Sequence, residues 1–198
     1  MNVYVLDIAP LRGREREALA LLPEERREKA LRIRREEARL RSIGASLLLR
    51  AVGIEPPFAC GEHGKPYIPG GPHFSLTHSG TLAALAVSDP PVGLDIEKIA
   101  PVRRAAARAL TIEERKYMET DPERRFACLW TRKEAVLKCT GAGLSQPMSA
   151  FSVLGNTASP EGALLSLYTV EYGNYMLSAA AARSAVFTPQ RVDALELL

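Results

Sequence analysis

The sequence contains few cysteines, few aromatic residues and no long apolar segment. Its 198 residues include three cysteines, and aromatic side chains make up 6% of the chain. The odd number and wide spacing of Cys60, Cys128 and Cys139 argue against a disulfide framework and are typical of a reduced chain. Apolar runs such as "SLLLRAVGI" are too short to span a bilayer, and the N-terminus "MNVYVLDIAP" lacks the features of a signal peptide. We therefore expect a cytoplasmic protein without a membrane partner.

Positive charge is concentrated near the N-terminus, although the net charge is only +3. Residues 12–50 contain twelve Arg and Lys against seven Glu. Such a run is most often a solvated helical surface. It can also hold a polyanion, either a nucleic acid or a phosphorylated cofactor. The segment has almost no aromatic residues, which disfavours binding of single-stranded nucleic acid. The charge alone does not choose between these alternatives.

The order of the predicted elements indicates an α+β protein. We predict a strand at residues 2–8, a helix that opens at Pro23, and a helix over roughly residues 36–52. The segments "FSLTHSG" and "LAALAVS" are predicted to be adjacent strands. The Pro90–Pro91 pair follows them and is the best candidate for a domain boundary.

A second group of elements follows this break. It consists of a strand with Asp95 and Glu97, a helix near 101–110, a helix capped by Thr111 and Glu114, and a long helix that begins at Asp121–Pro122. The long helix ends at "GAGL", and two or three strands close the chain. Because strand-then-helix order occurs in both halves, we predict two similar α+β lobes, residues 1–91 and 92–198.

The segment "PPVGLDIEKI", residues 90–99, places two carboxylates on one strand face. Asp95 and Glu97 would have Cα atoms roughly 6.5 Å apart, on the same face as Gly93. Carboxylates so close repel each other, and a positive group is therefore expected between them. That group can be a basic side chain, although Lys98 lies on the opposite face, or a divalent metal such as Mg²⁺. Gly93 would leave room for a ligand to approach the backbone.

The long helix, "DPERRFACLWTRKEAVLKCTG", carries a lysine inside its apolar face. On a helical wheel Lys133 lies in the middle of the apolar arc, whereas Glu134 lies at its edge and Lys138 one turn further on. This arrangement can be a lysine whose head group reaches solvent beside an ordinary Glu–Lys pair. A half-buried ammonium group, however, needs an anionic partner, and this favours a functional cleft. Glu134 could supply a third oxygen to a metal held by Asp95 and Glu97.

Together these motifs resemble the surfactin-type group of the 4'-phosphopantetheinyl transferases. "VGLDIE" and "LWTRKEAVLK" are similar to the paired signature of that family, and the resemblance covers nearly the whole chain. One departure is Thr77, which stands where the family most often has serine and which keeps the hydroxyl. The other matching segments are "GKPYI", "FSLTHSG", "GAGLSQPMSAFSV" and the basic helices from Pro23 to Arg50.

The resemblance implies two pseudo-symmetric α+β lobes with coenzyme A and Mg²⁺ in the cleft between them. It implies that a serine of an apo acyl or peptidyl carrier protein attacks the phosphorus attached to pantetheine, and that 3',5'-ADP leaves. Carriers of fatty-acid, polyketide and non-ribosomal peptide biosynthesis are all possible, because the carrier-recognition region near residues 99–111 is compact here. We expect a monomer, since one chain supplies both walls of the cleft.

The resemblance also assigns roles to individual residues. Asp95, Glu97 and Glu134 would hold the magnesium. Glu134 or a metal-bound water would take the serine proton, and Lys138 would stabilise charge on the pyrophosphate. The expected contacts to coenzyme A come from Arg26, Lys29, Arg41, Lys65, Thr77, His78, Lys133 and Lys138.

Two alternatives from other classes are open at this point. A magnesium-dependent nuclease would use the same three carboxylates and grip nucleic acid with the basic helices, and its binding would depend steeply on salt. A non-catalytic module that binds coenzyme A or a carrier protein would not need a metal site. The intact set of carboxylates argues against such a module, and we expect no nucleic-acid partner.

Overall fold

The computed structural model describes residues 1–102 and 106–198, and these contain both helices and mainly antiparallel strands. This confirms the predicted α+β class. The strands are β1 (Asn2–Asp7), β2 (Ala59–Cys60), β3 (Pro66–Tyr67), β4 (His73–Ser79), β5 (Leu82–Ser88), β6 (Val92–Lys98), β7 (Thr157–Ala158), β8 (Leu165–Tyr172), β9 (Tyr175–Ala181) and β10 (Pro189–Val192). The α-helices are α1 (Glu15–Ala20), α2 (Glu24–Leu31), α3 (Glu36–Ala51), α4 (Ile112–Met118) and α5 (Pro122–Thr140). Short 3-10 helices lie at Ala9–Leu11, Ala106–Ala109, Gly143–Ser145, Met148–Ala150 and Pro160–Gly162.

The first sheet has the strand order β10-β1-β5-β4. Strand β1 pairs antiparallel with β5 and parallel with β10, so the end of the chain returns to its beginning. One face of this sheet packs against helices α1 to α3. Leu6 of β1 and Leu85 of β5 are buried there against Ile43 and Leu47 of α3.

The second sheet has the order β6-β9-β8-β7, and all its neighbouring strands are antiparallel. One of its faces is covered by α5. The other face packs against the first sheet. Leu94 and Ile96 of β6 lie there in one buried cluster with Val3 and Val5 of β1. The molecule therefore stacks helices, a sheet, a second sheet and a helix, as expected when each apolar face needs a partner.

Most of the predicted elements lie where the sequence places them. Thr111 and Glu114 form both bonds of the capping box, and Gly141 ends α5 with a left-handed φ of 76°. The helix predicted near 101–110 falls partly on residues 103–105, which lie outside the described residues, and Ala106–Ala109 form a 3-10 helix.

The end of the chain differs from the prediction of two or three strands. Four strands follow α5 in the described residues, because short segments extend both sheets as β7 and β10. The boundary between residues 91 and 92 and the internal symmetry stay predictions. In the described parts of the chain, no helix is both long and apolar enough to cross a membrane.

Candidate functional site

A row of hydroxyl groups joins the two sheets where β4 lies beside β6. Alternate residues of β4 carry a hydroxyl, and each hydroxyl oxygen accepts a hydrogen bond from a backbone N–H of β6. These contacts take the place of a backbone ladder between the two strands. The bonds are Leu94 N to Ser75 Oγ at 3.0 Å, Ile96 N to Thr77 Oγ1 at 3.3 Å and Lys98 N to Ser79 Oγ at 3.2 Å.

Asp95 is the most buried carboxylate of the site, with 4% of its surface exposed. Its Oδ1 accepts hydrogen bonds from Thr77 Oγ1 at 2.9 Å and from the Lys138 ammonium at 2.5 Å. Its Oδ2 is buried and has no hydrogen-bond partner among the described residues. Burial raises the pKa of Asp95, and Lys138 opposes that rise. One oxygen of Asp95 is therefore available to a further cation.

Glu97 and Glu134 add two half-buried carboxylates. Glu97 Oε2 accepts a hydrogen bond from Ser79 Oγ at 2.7 Å. Burial raises the pKa of both glutamates, and the negative charge of Asp95 raises each pKa further. The three groups therefore repel one another in this arrangement, and a cation bound among them would relieve the repulsion.

The donor set fits Mg²⁺. It consists of hard carboxylate oxygens, one of which is the unpartnered Oδ2 of Asp95. Within residues 1–102 and 106–198, no group of three or more acidic, histidine or cysteine side chains is arranged so that it could hold a metal ion by itself. Magnesium commonly binds one or two carboxylates together with waters and substrate phosphates, so the observation that fits it here is the unpartnered Oδ2 of Asp95.

Gly93 sets the distance between β6 and α5. A Cβ at this position would lie 1.9 Å from the carbonyl oxygen of Ala135 and 2.4 Å from the amide nitrogen of Cys139. The bare strand surface is thus occupied by the helix backbone, which corrects the expectation that a ligand approaches there. This close approach brings Glu134 and Lys138 of α5 beside Asp95 of β6.

Basic residues line the same cleft, which has a volume of about 620 Å³. They are Arg26, Lys29 and Arg41, accompanied by His78. Arg26 is buried, its Nε donates to Ser46 Oγ at 3.0 Å, and burial lowers its pKa. No ion pair to a carboxylate is formed by Arg26 in the described part of the chain. The negative charge of Glu25 opposes this lowering of the pKa without forming an ion pair, so the buried guanidinium group of Arg26 can still bind an anion.

Lys65 lies at the margin of the site, where it ties the first half of the chain to the second. Its ammonium donates to the carbonyl oxygens of Val92 at 3.0 Å and Lys138 at 2.6 Å. Burial lowers its pKa. Together with Glu134 and Lys138 it lines a smaller adjoining cavity of about 260 Å³.

Lys133 is buried away from the cleft and forms an internal ion pair. Its ammonium lies 2.9 Å from Glu114 Oε2 and donates to the carbonyl oxygens of Met148 and Phe151 at 2.7 Å each. Neither side chain of the pair is exposed to solvent. The expected anionic partner of Lys133 is therefore a residue of the protein. This corrects the expected contact between Lys133 and coenzyme A, because all three ammonium protons are used internally.

Every predicted site residue except Lys65 and Lys133 lines the 620 Å³ cleft. The sequence reasoning missed Ser79, which bonds Glu97, and Ser46, which bonds Arg26. The hydroxyl at every second position of "SLTHS" is the signal that could have indicated Ser79. Ser46 gives no comparable signal, because a serine inside a helix is common.

Several known proteins are similar to this chain in sequence. The sequence profile of the 4'-phosphopantetheinyl transferase superfamily matches residues 91–180, which include β6 and α5. A 4'-phosphopantetheinyl transferase of Bacillus subtilis is 35% identical over 162 residues, which cover 71% of this chain and 70% of that protein. The 4'-phosphopantetheinyl transferase Sfp of Bacillus subtilis strain 168 is 32% identical over 170 residues, or 77% of this chain and 76% of Sfp. The 4'-phosphopantetheinyl transferase AcpT of Salmonella typhi is 40% identical over 126 residues, which cover 59% of this chain and 66% of AcpT.

The chain belongs to the 4'-phosphopantetheinyl transferase superfamily. The family resemblance seen in its motifs and the prediction that it is a transferase are thereby confirmed.

Proposed function

We propose that this protein transfers 4'-phosphopantetheine from coenzyme A to a serine of an apo acyl or peptidyl carrier protein, with Mg²⁺ and as a cytoplasmic monomer. One observation carries the proposal. A single cleft combines a buried arginine without a carboxylate partner and three carboxylates whose pKa values are raised. A phosphorylated substrate would provide the anion for the basic residues of this cleft, and a divalent cation would provide the positive charge for its carboxylates.

The basic wall fits the phosphates of coenzyme A. Arg26 can present two parallel N–H groups to a phosphate, whereas Lys29 supplies a point charge. Arg41 is anchored by a bond from Nη1 to the Gly80 carbonyl at 3.1 Å, and His78 lies on β4 beside it. We assign this wall to the 3'-phosphate and the pyrophosphate.

Asp95, Glu97 and Glu134 are the residues that would hold the magnesium. An ion held by them would supply positive charge next to the pyrophosphate and the departing 3',5'-ADP. Thr77 and Ser79 hold two of these carboxylates by hydrogen bonds. Phosphoryl transfer needs positioning and neutralisation of charge more than a nucleophile on the enzyme, and the cleft supplies both.

Glu134 and Lys138 act on the reacting groups. As the carrier serine oxygen forms its bond to phosphorus, Glu134 takes the hydroxyl proton. Glu134 lines the cleft together with Asp95 and Lys138, so its carboxylate can accept this proton there. The bond from phosphorus to the ADP oxygen breaks, the electron pair leaves with 3',5'-ADP, and the charge of Lys138 stabilises that product.

Chromatographic detection of 3',5'-ADP tests this proposal. The protein is incubated with coenzyme A, an apo carrier and Mg²⁺, and release of 3',5'-ADP should require all three. Asp95→Ala and Glu134→Gln should each lower the rate by at least about 100-fold, the usual effect of removing a group that stabilises the transition state. Exposed Arg34 offers a control, since Arg34→Ala should keep the wild-type rate.

Other outcomes would indicate one of the two alternative functions. Binding of coenzyme A without release of 3',5'-ADP in the presence of any apo carrier would indicate a non-catalytic binding module. Cleavage of nucleic acid that needs the same carboxylates, with no response to coenzyme A, would indicate a nuclease.

A further inference from the structure

The hydroxyl row on β4 contains two kinds of residue. Ser75, Thr77 and Ser79 all accept a backbone N–H from β6. Thr77 and Ser79 also donate to a carboxylate, to Asp95 Oδ1 at 2.9 Å and to Glu97 Oε2 at 2.7 Å. Among the described residues, Ser75 donates to no carboxylate. Ser75 therefore only joins the two strands, whereas Thr77 and Ser79 join the strands and also contact a carboxylate.

A hydroxyl that accepts a backbone N–H has its single proton free for one further acceptor. In Ser79 that proton goes to Glu97 Oε2. The backbone N–H of Lys98 in β6 therefore fixes the serine oxygen, and the serine in turn fixes the carboxylate of the preceding residue, Glu97. Glu97 is only half-buried, and without this bond its side chain would sample several rotamers.

The contact of Ser79 with the backbone is the one the fold needs least. Lys98, which donates that N–H, is exposed, so water can replace the serine as acceptor. By contrast, the amides bonded to Ser75 and Thr77 belong to buried Leu94 and Ile96. The hydroxyl at position 79 thus matters mainly for its bond to Glu97.

We propose that Ser79 is a positioning residue, which holds the Glu97 carboxylate in the orientation that binds the divalent cation. Thr77 does the same for Asp95. This inference rests on the proposed function, because it requires a cation at Asp95 and Glu97. Ligating carboxylates are commonly held by such outer hydrogen bonds, and loss of one typically weakens metal binding by about 10-fold or more.

Titration with Mn²⁺ tests the proposal, since electron paramagnetic resonance reports the free ion directly. Wild type, Ser79→Ala and the matched control Ser75→Ala are titrated with and without coenzyme A. We expect Ser79→Ala to bind Mn²⁺ about 10-fold more weakly than wild type. The Mn²⁺ affinity of Ser75→Ala should stay within about twofold of wild type. Ser79→Thr keeps the hydroxyl and should restore most of the affinity.

The Mg²⁺ dependence of the transfer rate provides a second measurement, and a general destabilisation of the fold would not reproduce its expected change. In Ser79→Ala the Mg²⁺ concentration for half-maximal rate should rise about 10-fold, while KM for coenzyme A stays unchanged. If Ser79→Ala does not fold by circular dichroism, Ser79→Cys replaces it, because a thiol has similar size and is a weaker donor.

The outcomes distinguish the inference from the function on which it rests. Equal Mn²⁺ affinities of the Ser79 and Ser75 variants, with tight binding by wild type, would overturn the positioning role and leave the function standing. No Mn²⁺ binding by wild type, with or without coenzyme A, would instead overturn the proposed metal dependence.

Discussion

Replacing Lys133 by methionine is expected to destabilise the fold while leaving the coenzyme A site intact. The Lys133 ammonium bonds Glu114 and two backbone carbonyls, and both side chains of the pair are fully buried. Glu114 in turn accepts the N–H groups of Thr111 and Val153, so the pair links α4, α5 and the segment after α5. Without Lys133, the charge of Glu114 stays buried and uncompensated.

The size of the effect follows from this burial. Breaking a buried ion pair by removal of one partner costs about 3–5 kcal/mol. For a chain of this length, each kcal/mol lowers Tm by about 2–4 °C, so a decrease of about 6–20 °C is expected. The double variant Lys133→Met with Glu114→Gln should lose less than the sum of the single variants, because no unpaired charge remains.

Lys138 provides the comparison, since it lies on the same helix and its ammonium also pairs with a carboxylate, that of Asp95. Its side chain is 30% exposed. Asp95 is itself buried, so Lys138→Met should also lower stability, but by less than Lys133→Met because the Lys138 ammonium is partly exposed to solvent. It should also greatly reduce transfer activity.

Urea unfolding followed by circular dichroism measures the free energy of unfolding of each variant. Calorimetric titration in the cold measures its affinity for coenzyme A. If Lys133→Met had wild-type stability but bound coenzyme A more than about 10-fold more weakly, the structural role of Lys133 would be refuted.

Three further predictions concern single positions. Gly93→Ala places a Cβ against the backbone of α5 and should cost about 3 kcal/mol in urea unfolding, whereas wild-type stability would contradict the close approach of strand and helix. Burial raises the pKa of the Cys139 thiol to about 11, so iodoacetamide should alkylate exposed Cys60 and spare Cys139 until the protein is unfolded. Equal labelling of the two cysteines in the native protein, read by peptide mass spectrometry, would argue against this burial. Arg26→Met should weaken coenzyme A binding by at least about 10-fold without loss of stability, because an unpaired buried cation is removed. A calorimetric affinity equal to that of Arg34→Met would exclude Arg26 from the phosphate site.

The elements that carry the site could be predicted from the sequence because their signals are local. Alternation along "VGLDIE" places Asp95 and Glu97 on one face of β6, and the spacing of Thr111 and Glu114 predicts the capping box. The helical wheel of α5 likewise places Lys133 among apolar residues, where the structure has it buried.

The partners of these residues could not be predicted, because they come from distant parts of the chain. The acceptors of Lys65 lie 27 and 73 residues away, and no periodicity encodes them. The strand pattern predicts free space beside Gly93 on the surface of β6, whereas the backbone of α5 fills that space. The parallel pairing of β10 with β1 joins the two ends of the chain, and short segments such as β10 carry little pattern of their own.

The most direct test of the proposed function is the intact mass of an apo carrier protein after incubation with this protein, coenzyme A and Mg²⁺. We expect the carrier to gain the mass of one phosphopantetheine group on a serine, and to gain nothing when Mg²⁺ is omitted or when the Asp95→Ala variant is used. Unchanged mass for apo carriers from fatty-acid, polyketide and non-ribosomal peptide synthesis would contradict the assignment of the cleft to phosphopantetheinyl transfer.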